Sequence, residues 1–202
     1  MAKQIPHAPE VSSLSELAEA LDACRRCDLW KNATQGVPGD GAAHARIMLI
    51  GEQPGDEEDL AGRPFVGPPG KLFDKALAEA GVDRKQVYVT NAVKHFSWFP
   101  RGKRRMHKTP TQQQVAACLD WLCQELRLVK PSIIVCLGAT AAKALLGPSV
   151  RVTVDRGKWL ESEAEHVMVT VHPSSILRVP REDFDAAYAA LVRDLKLVSP
   201  FG

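Results

Sequence analysis

The sequence lacks several features that would indicate a membrane, secreted or nucleotide-binding protein. No apolar run is long enough to span a bilayer, so no transmembrane helix is expected. Residues 1–9 lack the apolar stretch of a secretory signal, and we expect a cytoplasmic protein. The glycine-containing loop at 51–55 does not match the G-x-x-x-x-G-K-[ST] phosphate-binding pattern, which excludes a P-loop nucleotidase.

Charge of one sign is also scarce, because 26 Lys and Arg residues are balanced by 24 Asp and Glu residues to a net charge of +2. The overall charge therefore does not indicate a nucleic-acid partner. Its distribution is more informative, because the segment 101–108 concentrates basic side chains. We expect this basic segment to neutralise phosphate groups.

Cysteine is infrequent, with five residues in 202. Cys24 and Cys27 form a C-x-x-C pair, and an odd number of thiols in a reducing compartment favours metal or redox chemistry over disulfides.

Apolar runs alternate with amphipathic segments along the chain. The runs at 47–50, 87–90, 132–137 and 167–171 predict buried strands, and helices are predicted between them. This alternation predicts a single three-layer α/β/α domain over residues 1–202, with a central four-stranded parallel sheet. The segment 91–108 is predicted to be a long polar and basic loop. The sequence has no heptad repeat, so a monomer is expected.

In a parallel sheet of this type, ligands bind beyond the carboxyl ends of the strands. The predicted strands are followed by Glu52, Asn91, Gly138 and His172. A carboxylate, an amide and an imidazole are therefore expected to converge at one edge of the sheet.

Four motifs occur in order at or near these strand ends: GEQPGDEED at 51–59, GRPFVG at 62–67, TNAVK at 90–94 and HPSS at 172–175. Together they resemble the iron–sulfur uracil-DNA glycosylases of families 4 and 5. Gln53 and the segment GKRRMHK at 102–108 look more like the X-type branch of that group. The resemblance extends from Cys24 to the last helix.

The resemblance implies an enzyme that excises uracil from DNA; single-stranded DNA is the expected partner, and double-stranded DNA is left open as a second one. It further implies that the enzyme attaches itself to the abasic sugar through a histidine of the inserted basic loop, here His107. From the residues alone, His107 would be only a phosphate contact. Glu52 is expected to orient or deprotonate His107, and His172 to donate a hydrogen bond to uracil O2.

The remaining site residues are expected to bind base or backbone. Phe65 is expected to stack on the flipped base, although it is also compatible with an ordinary core position. Asn91 is expected to read the uracil edge, Gln53 to line the pocket and Asp56 to contact base or water, with the acidic run 56–59 otherwise a solvated loop. The expected phosphate contacts are Lys103, Arg104, Arg105, Lys108, Ser174 and Ser175.

The resemblance also implies a 4Fe–4S cluster. Its expected ligands are Cys24, Cys27, His95 and Cys118, with His95 at a position where the relatives carry a third cysteine. Cys123 and Cys136 are alternatives for the fourth ligand, and zinc is the alternative metal for the same donor set.

Two other functions remain compatible with the sequence. One is an ordinary turnover glycosylase, in which Glu52 or Asp56 activates water. The other is a non-enzymatic iron–sulfur protein that binds uracil or abasic sites reversibly.

Overall fold

The computed structural model describes residues 7–160 and 166–201. Within them lies a six-stranded sheet in the order β1-β3-β2-β6-β8-β7, and a separate hairpin of β4 and β5. The strands are β1 Asp40–Gly41, β2 Ile47–Gly51, β3 Val87–Asn91, β4 Trp98–Arg101, β5 Arg104–His107, β6 Ile133–Leu137, β7 Trp159–Leu160 and β8 His166–Thr170.

The four central strands, β3, β2, β6 and β8, are parallel, as predicted. The predicted number of strands was wrong, because β1 and β7 extend the sheet to six strands and pair antiparallel with β3 and β8. Each edge strand has only two residues. A segment of that length carries no measurable alternation of apolar and polar residues.

The helices of the described residues cover both faces of the sheet. They are α1 Leu14–Asp22, α2 Asp56–Ala61, α3 Pro68–Ala80, α4 Gln112–Val129, α5 Ala139–Leu146, α6 Val152–Asp155, α7 Pro173–Ile176 and α8 Phe184–Lys196. Leu49 of β2 packs in one core with residues of α3 and α8, whereas Met48 and Ile50 face α4 and α5. The α/β class and the layering are therefore confirmed. No helix in the described ranges is long and apolar enough to cross a membrane.

The predicted loop 91–108 contains a two-stranded hairpin. β4 and β5 pair antiparallel, with Trp98 opposite His107, and Gly102 adopts a φ of 61° in the turn. The Lys108 N–H donates to the Ser97 carbonyl at 2.9 Å and closes the base of the hairpin. His107 is thus the last residue of a strand rather than part of an irregular loop.

The acidic run 56–59 is helical and half buried, contrary to the expected solvated loop. Glu58 accepts hydrogen bonds from the N–H groups of Gly55 and Gly67, both at 2.9 Å. Asp59 is fully buried and accepts the Thr34 N–H at 3.0 Å. These buried carboxylates accept backbone N–H groups that would otherwise lack partners, which offsets the cost of burying them.

Candidate active site

A cavity of about 710 Å³ opens at the carboxyl ends of the parallel strands. Its volume is typical of a small-molecule or nucleobase site. The lining includes most of the residues expected at the site, namely Glu52, Gln53, Asp56, Phe65, Asn91, His107, His172, Ser174 and Ser175. The fold therefore brings the strand-end residues of separate sequence segments around one cavity.

Asn91, the last residue of β3, presents a buried amide to this cavity. Its Oδ1 has no hydrogen-bond partner within the described protein. A Cβ added at Gly51 would lie 2.3 Å from this oxygen, so a glycine is required for Asn91 to occupy its position. An unpartnered buried acceptor is costly unless a ligand satisfies it.

Phe65 is both a core residue and a part of the cavity wall, the two positions that the sequence left open for it. It is buried, packs 5.6 Å from Phe73 between ring centroids, and also lines the cavity. Its φ of 59° is unusual for a bulky side chain and costs about 1–3 kcal/mol. Gly70 permits this conformation, because a Cβ there would lie 1.8 Å from the Phe65 carbonyl oxygen.

His172 lies at the N-terminal end of α7, with its ring 6.2 Å from that of Phe65. Its Nδ1 accepts the Ser174 N–H at 3.1 Å, so the neutral ring carries its proton on Nε2. Burial lowers the pKa of His172 to about 4, and the nearby His107 and Arg178 side chains contribute to the same shift. The ring is therefore a neutral N–H donor at physiological pH.

Glu52 connects β2 to the hairpin. Its Oε1 lies 3.3 Å from His107 Nε2, and its Oε2 accepts a hydrogen bond from the Thr140 hydroxyl. Partial burial lowers the pKa of His107, whose side chain stays about half exposed, while the Glu52 carboxylate opposes that shift. His107 is therefore neutral near pH 7, and its pairing with Glu52 can fix both the tautomer and the direction of the ring.

Gln53 lines the cavity, but its amide is engaged with the base of the hairpin. Its Nε2 donates to the carbonyls of Ser97 and Lys108, at 3.0 and 3.1 Å. Its Oε1 accepts the Ser97 N–H at 3.0 Å. Gln53 therefore holds the backbone of Lys108, the residue next to His107.

Arg105 is paired with two carboxylates of α2, and its side chain is largely shielded from solvent, whereas the Asp56 side chain stays half exposed. The Arg105 guanidinium lies 2.5 Å from Asp56 Oδ1 and 2.6 Å from Asp59 Oδ2. It also lies over the rings of Phe96 and Trp98, at 5.5 and 5.6 Å. These contacts attach the hairpin to α2, a role that the sequence pattern did not indicate.

The other expected phosphate contacts divide into two groups. Lys103, Arg104 and Lys108 are exposed on the hairpin. Ser174 Oγ lies 2.8 Å from His172 Nδ1, and Ser175 Oγ donates to the His172 carbonyl at 2.7 Å. The two serines therefore hold His172 in place within the protein.

Sequence reasoning missed two residues that the fold brings to the site. Thr140 contacts Glu52, and Arg178 lines the cavity and contributes positive charge near both histidines. Thr140 lies two residues beyond Gly138, which follows the third central strand. Arg178 lies three residues beyond the HPSS motif, so closeness to the strand ends was the signal for both residues.

The expected metal ligands lie near one end of α4. The Cys27 and Cys118 thiols are hydrogen-bonded, which lowers the pKa of Cys27 to about 7 and, with burial, raises that of Cys118. Cys24 Sγ accepts the Trp121 Nε1–H at 3.3 Å. His95 is buried, and burial lowers its pKa to about 4, which leaves it neutral as a ligand requires. Within residues 7–160 and 166–201, no three such side chains are close enough to bind a single ion.

The two alternative cysteine ligands occupy different surroundings. Cys136 is fully buried in the core between the sheet and α4, and burial raises its pKa to about 12. Cys123 is exposed on α4. Cys118 packs with Leu29 and Val93 in a small cluster, and Cys27 packs against that cluster. Neither Cys123 nor Cys136 belongs to it.

Comparison with known proteins gives a consistent family. The model of the Uracil DNA glycosylase superfamily matches residues 38–196. The chain is 36% identical over 188 residues to a type-4 uracil-DNA glycosylase of Archaeoglobus fulgidus, covering 88% of this chain and 91% of that protein. It is 39% identical over 166 residues to the type-4 protein of Thermotoga maritima, covering 80% and 82%. A type-5 protein of Pyrobaculum aerophilum is 29% identical over 170 residues, covering 75% and 71%. The chain therefore belongs to the uracil-DNA glycosylase superfamily and resembles its type-4 members.

Proposed function

We propose that this protein excises uracil from DNA by breaking the N-glycosidic bond and then bonds covalently to the abasic sugar through His107. The observation that carries the proposal is the Glu52–His107 pair, separated by 3.3 Å, in a cavity that also contains Asn91 and His172. The type-4 relatives support the excision step. The capture step is supported by the pairing of His107 with a carboxylate.

Base recognition follows from the chemistry of the Asn91 amide. Uracil must leave the helical stack to reach the cavity. The unpartnered Oδ1 of Asn91 can accept uracil N3–H, and the amide nitrogen can donate to O4. Cytosine presents the reverse pattern, and an unpaired buried polar group of this type discriminates by about 10⁴- to 10⁵-fold. Phe65 supplies an apolar surface beside the base.

Departure of uracil leaves its electron pair on the base and a cationic C1′ on the sugar. The Nε2–H of neutral His172 is suited to donate to O2 as negative charge develops there. A neutral donor avoids transferring its own proton, so the base departs as a hydrogen-bonded anion. Asn91 and His172 together support this step without any contribution from His107.

Capture requires a nucleophile with a free electron pair. With Nε2 of His107 facing Glu52, that nitrogen carries the proton and Nδ1 keeps the lone pair. Attack by Nδ1 forms the bond to C1′, and the Nε2 proton can pass to Glu52 as the ring gains charge. The product has no good leaving group, so the adduct persists.

Uracil-containing DNA is the proposed partner, in single-stranded form, with double-stranded DNA as the open alternative. The exposed side chains of Lys103, Arg104 and Lys108 provide positive charge for backbone phosphates beside the cavity. Arg105 is better explained as a residue that holds the hairpin to α2, because two carboxylates already pair with it.

The capture step is tested with a uracil-containing oligonucleotide and a denaturing gel run after heating in detergent. We expect a slowly migrating protein–DNA band, together with release of free uracil. Alkali-cleavable abasic DNA without such a band would mean turnover with water as nucleophile. Reversible binding with neither product would reduce the protein to a uracil-DNA binder.

We also propose a 4Fe–4S cluster held by Cys24, Cys27, His95 and Cys118. The contact between the Cys27 and Cys118 thiols and the buried neutral His95 fit this donor set. When bound, the cluster would stabilise the junction of α1, α4 and the segment before the hairpin. Imidazole can replace thiolate on iron.

The cluster is tested by metal analysis and visible absorption of protein purified without oxygen. We expect about four irons per chain, lost in Cys27→Ala and His95→Ala but retained in His95→Cys, because thiolate is the usual ligand. Cys123→Ala is the matched control and is expected to keep its iron. Zinc in place of iron, or iron loss in the Cys123 variant, would contradict the assignment.

A further inference from the structure

The two carboxylate oxygens of Glu52 contact different side chains. Oε1 lies 3.3 Å from His107 Nε2, whereas Oε2 accepts the hydroxyl hydrogen of Thr140. A glutamate carboxylate turns readily about its last side-chain bond. A second donor on the far oxygen therefore decides which way the near oxygen points.

The Thr140 hydroxyl is held by a well-anchored helix. Thr140 lies in the first turn of α5, whose Ala141 and Ala142 are fully buried in the core that includes Ile50 of β2. At its N-cap, Gly138 approaches His172 so closely that an added Cβ would lie 3.1 Å from the His172 Cβ. The start of α5 thus lies between Glu52 and His172.

We propose that Thr140 is a positioning residue for the capture step: it holds Glu52 so that the carboxylate faces His107. This inference rests on the proposed function. In the capture step the Nδ1 lone pair forms the bond to C1′, and the Nε2 proton moves to Glu52. When the carboxylate turns away, the imidazole loses its proton acceptor and its fixed tautomer, and water competes for the sugar cation.

The groups facing His107 predict a pH signature for this role. Glu52 faces it from the end of β2, Arg178 and His172 from the segment after β8, and the Phe96 ring lies 6.3 Å away. Glu52 raises the pKa of His107, whereas burial and Arg178 lower it. Weakening the Glu52 contact therefore moves the acid limb of the capture rate to lower pH.

The test compares wild-type protein with Thr140→Val and Thr140→Ser. Valine keeps the β-branched shape and removes the hydroxyl, and serine keeps the hydroxyl. Uracil release and adduct formation are measured separately, in single turnover, across pH. In Thr140→Val we expect adduct formation to fall by about 10- to 100-fold, the scale of a misplaced reacting group. Uracil release should change by less than about 3-fold, since Asn91 and His172 perform that step.

Support requires three results together: the selective loss in Thr140→Val, the shift of its acid limb to lower pH, and recovery in Thr140→Ser. Equal adduct rates and pH profiles in Thr140→Val and wild type would overturn the inference. A parallel fall of uracil release and adduct in both variants would show a merely structural role and also overturn it. If wild-type protein releases uracil without any adduct, the proposed capture itself fails, and the wild-type sample alone identifies that case.

Discussion

Replacing His107 by alanine is expected to abolish the covalent adduct while uracil release continues. The imidazole is the proposed nucleophile, and loss of an activated nucleophile reduces the affected step by more than about 10³-fold. Asn91 and His172 stay in place on their own strand ends, so the glycosidic bond still breaks. The space left beside Glu52 admits water, and free abasic DNA becomes the product.

The measurement is the denaturing gel, with free uracil and alkali-cleavable DNA quantified in the same samples. His166→Ala is a suitable control, because His166 lies on β8 against Trp159 and Phe201, outside the residues that line the cavity. The control is expected to form the adduct normally. A heat-stable adduct in His107→Ala would assign the nucleophile to another residue.

The proposed role of His107 also predicts how adduct formation depends on pH in the wild-type protein. Protonation removes the lone pair of His107, and burial holds the pKa of His107 below its ordinary 6.5. Adduct formation should therefore be constant near neutral pH and decline only as the pH falls below 6.5. His172, with a pKa lowered to about 4, stays neutral through most of that range.

The sequence was most informative where a pattern spans several consecutive residues. Apolar runs identified the four parallel strands, and the residues following those runs identified Glu52, Asn91 and His172 as neighbours. The hairpin was not predicted, because β4 and β5 contain Pro100 and a run of basic residues in place of alternating apolar ones.

Side-chain contacts between segments that are distant in sequence could not be predicted either. Arg105 looks like a phosphate contact among its basic neighbours, and only the fold brings it against Asp56 and Asp59. Gln53 looks like a pocket residue because of its motif, but its amide bonds Ser97 and Lys108. A polar side chain can bond many partners, and the tertiary structure decides which of them lie within hydrogen-bonding distance.

A buried ion pair next to Asn91 should dominate the stability of this region. Lys94 Nζ lies 2.5 Å from Glu125 Oε2, and both side chains are fully buried. Thr90, next to Asn91, accepts from Lys94 at 2.6 Å and donates to Glu125 at 2.7 Å. The Gly39 N–H donates to the other Glu125 oxygen at 2.8 Å. The pair therefore joins α4 to the end of β3.

Replacing Lys94 by methionine is expected to reduce the free energy of unfolding by about 3–5 kcal/mol, because it leaves the Glu125 carboxylate buried without a counter-charge. The measurement is urea-induced unfolding, with iron content determined in parallel so that any loss of a bound metal is accounted for. Lys94→Met with Glu125→Leu removes both charges and should recover most of the loss, since replacing a buried pair by apolar residues is often neutral.

The matched control is Arg84→Met, which removes a cation from a partly exposed pair with Asp74 at 3.2 Å. An exposed pair of this kind contributes about 0–1 kcal/mol, so the control should unfold almost as the wild type does. If Lys94→Met were no less stable than Arg84→Met, the buried pair would not support β3. If Lys94→Met strongly reduces the free energy of unfolding and the double variant restores it, the loss comes from the uncompensated charge of Glu125. In that case we expect uracil excision to recover with stability in the double variant, because Asn91 directly follows Thr90 at the end of β3.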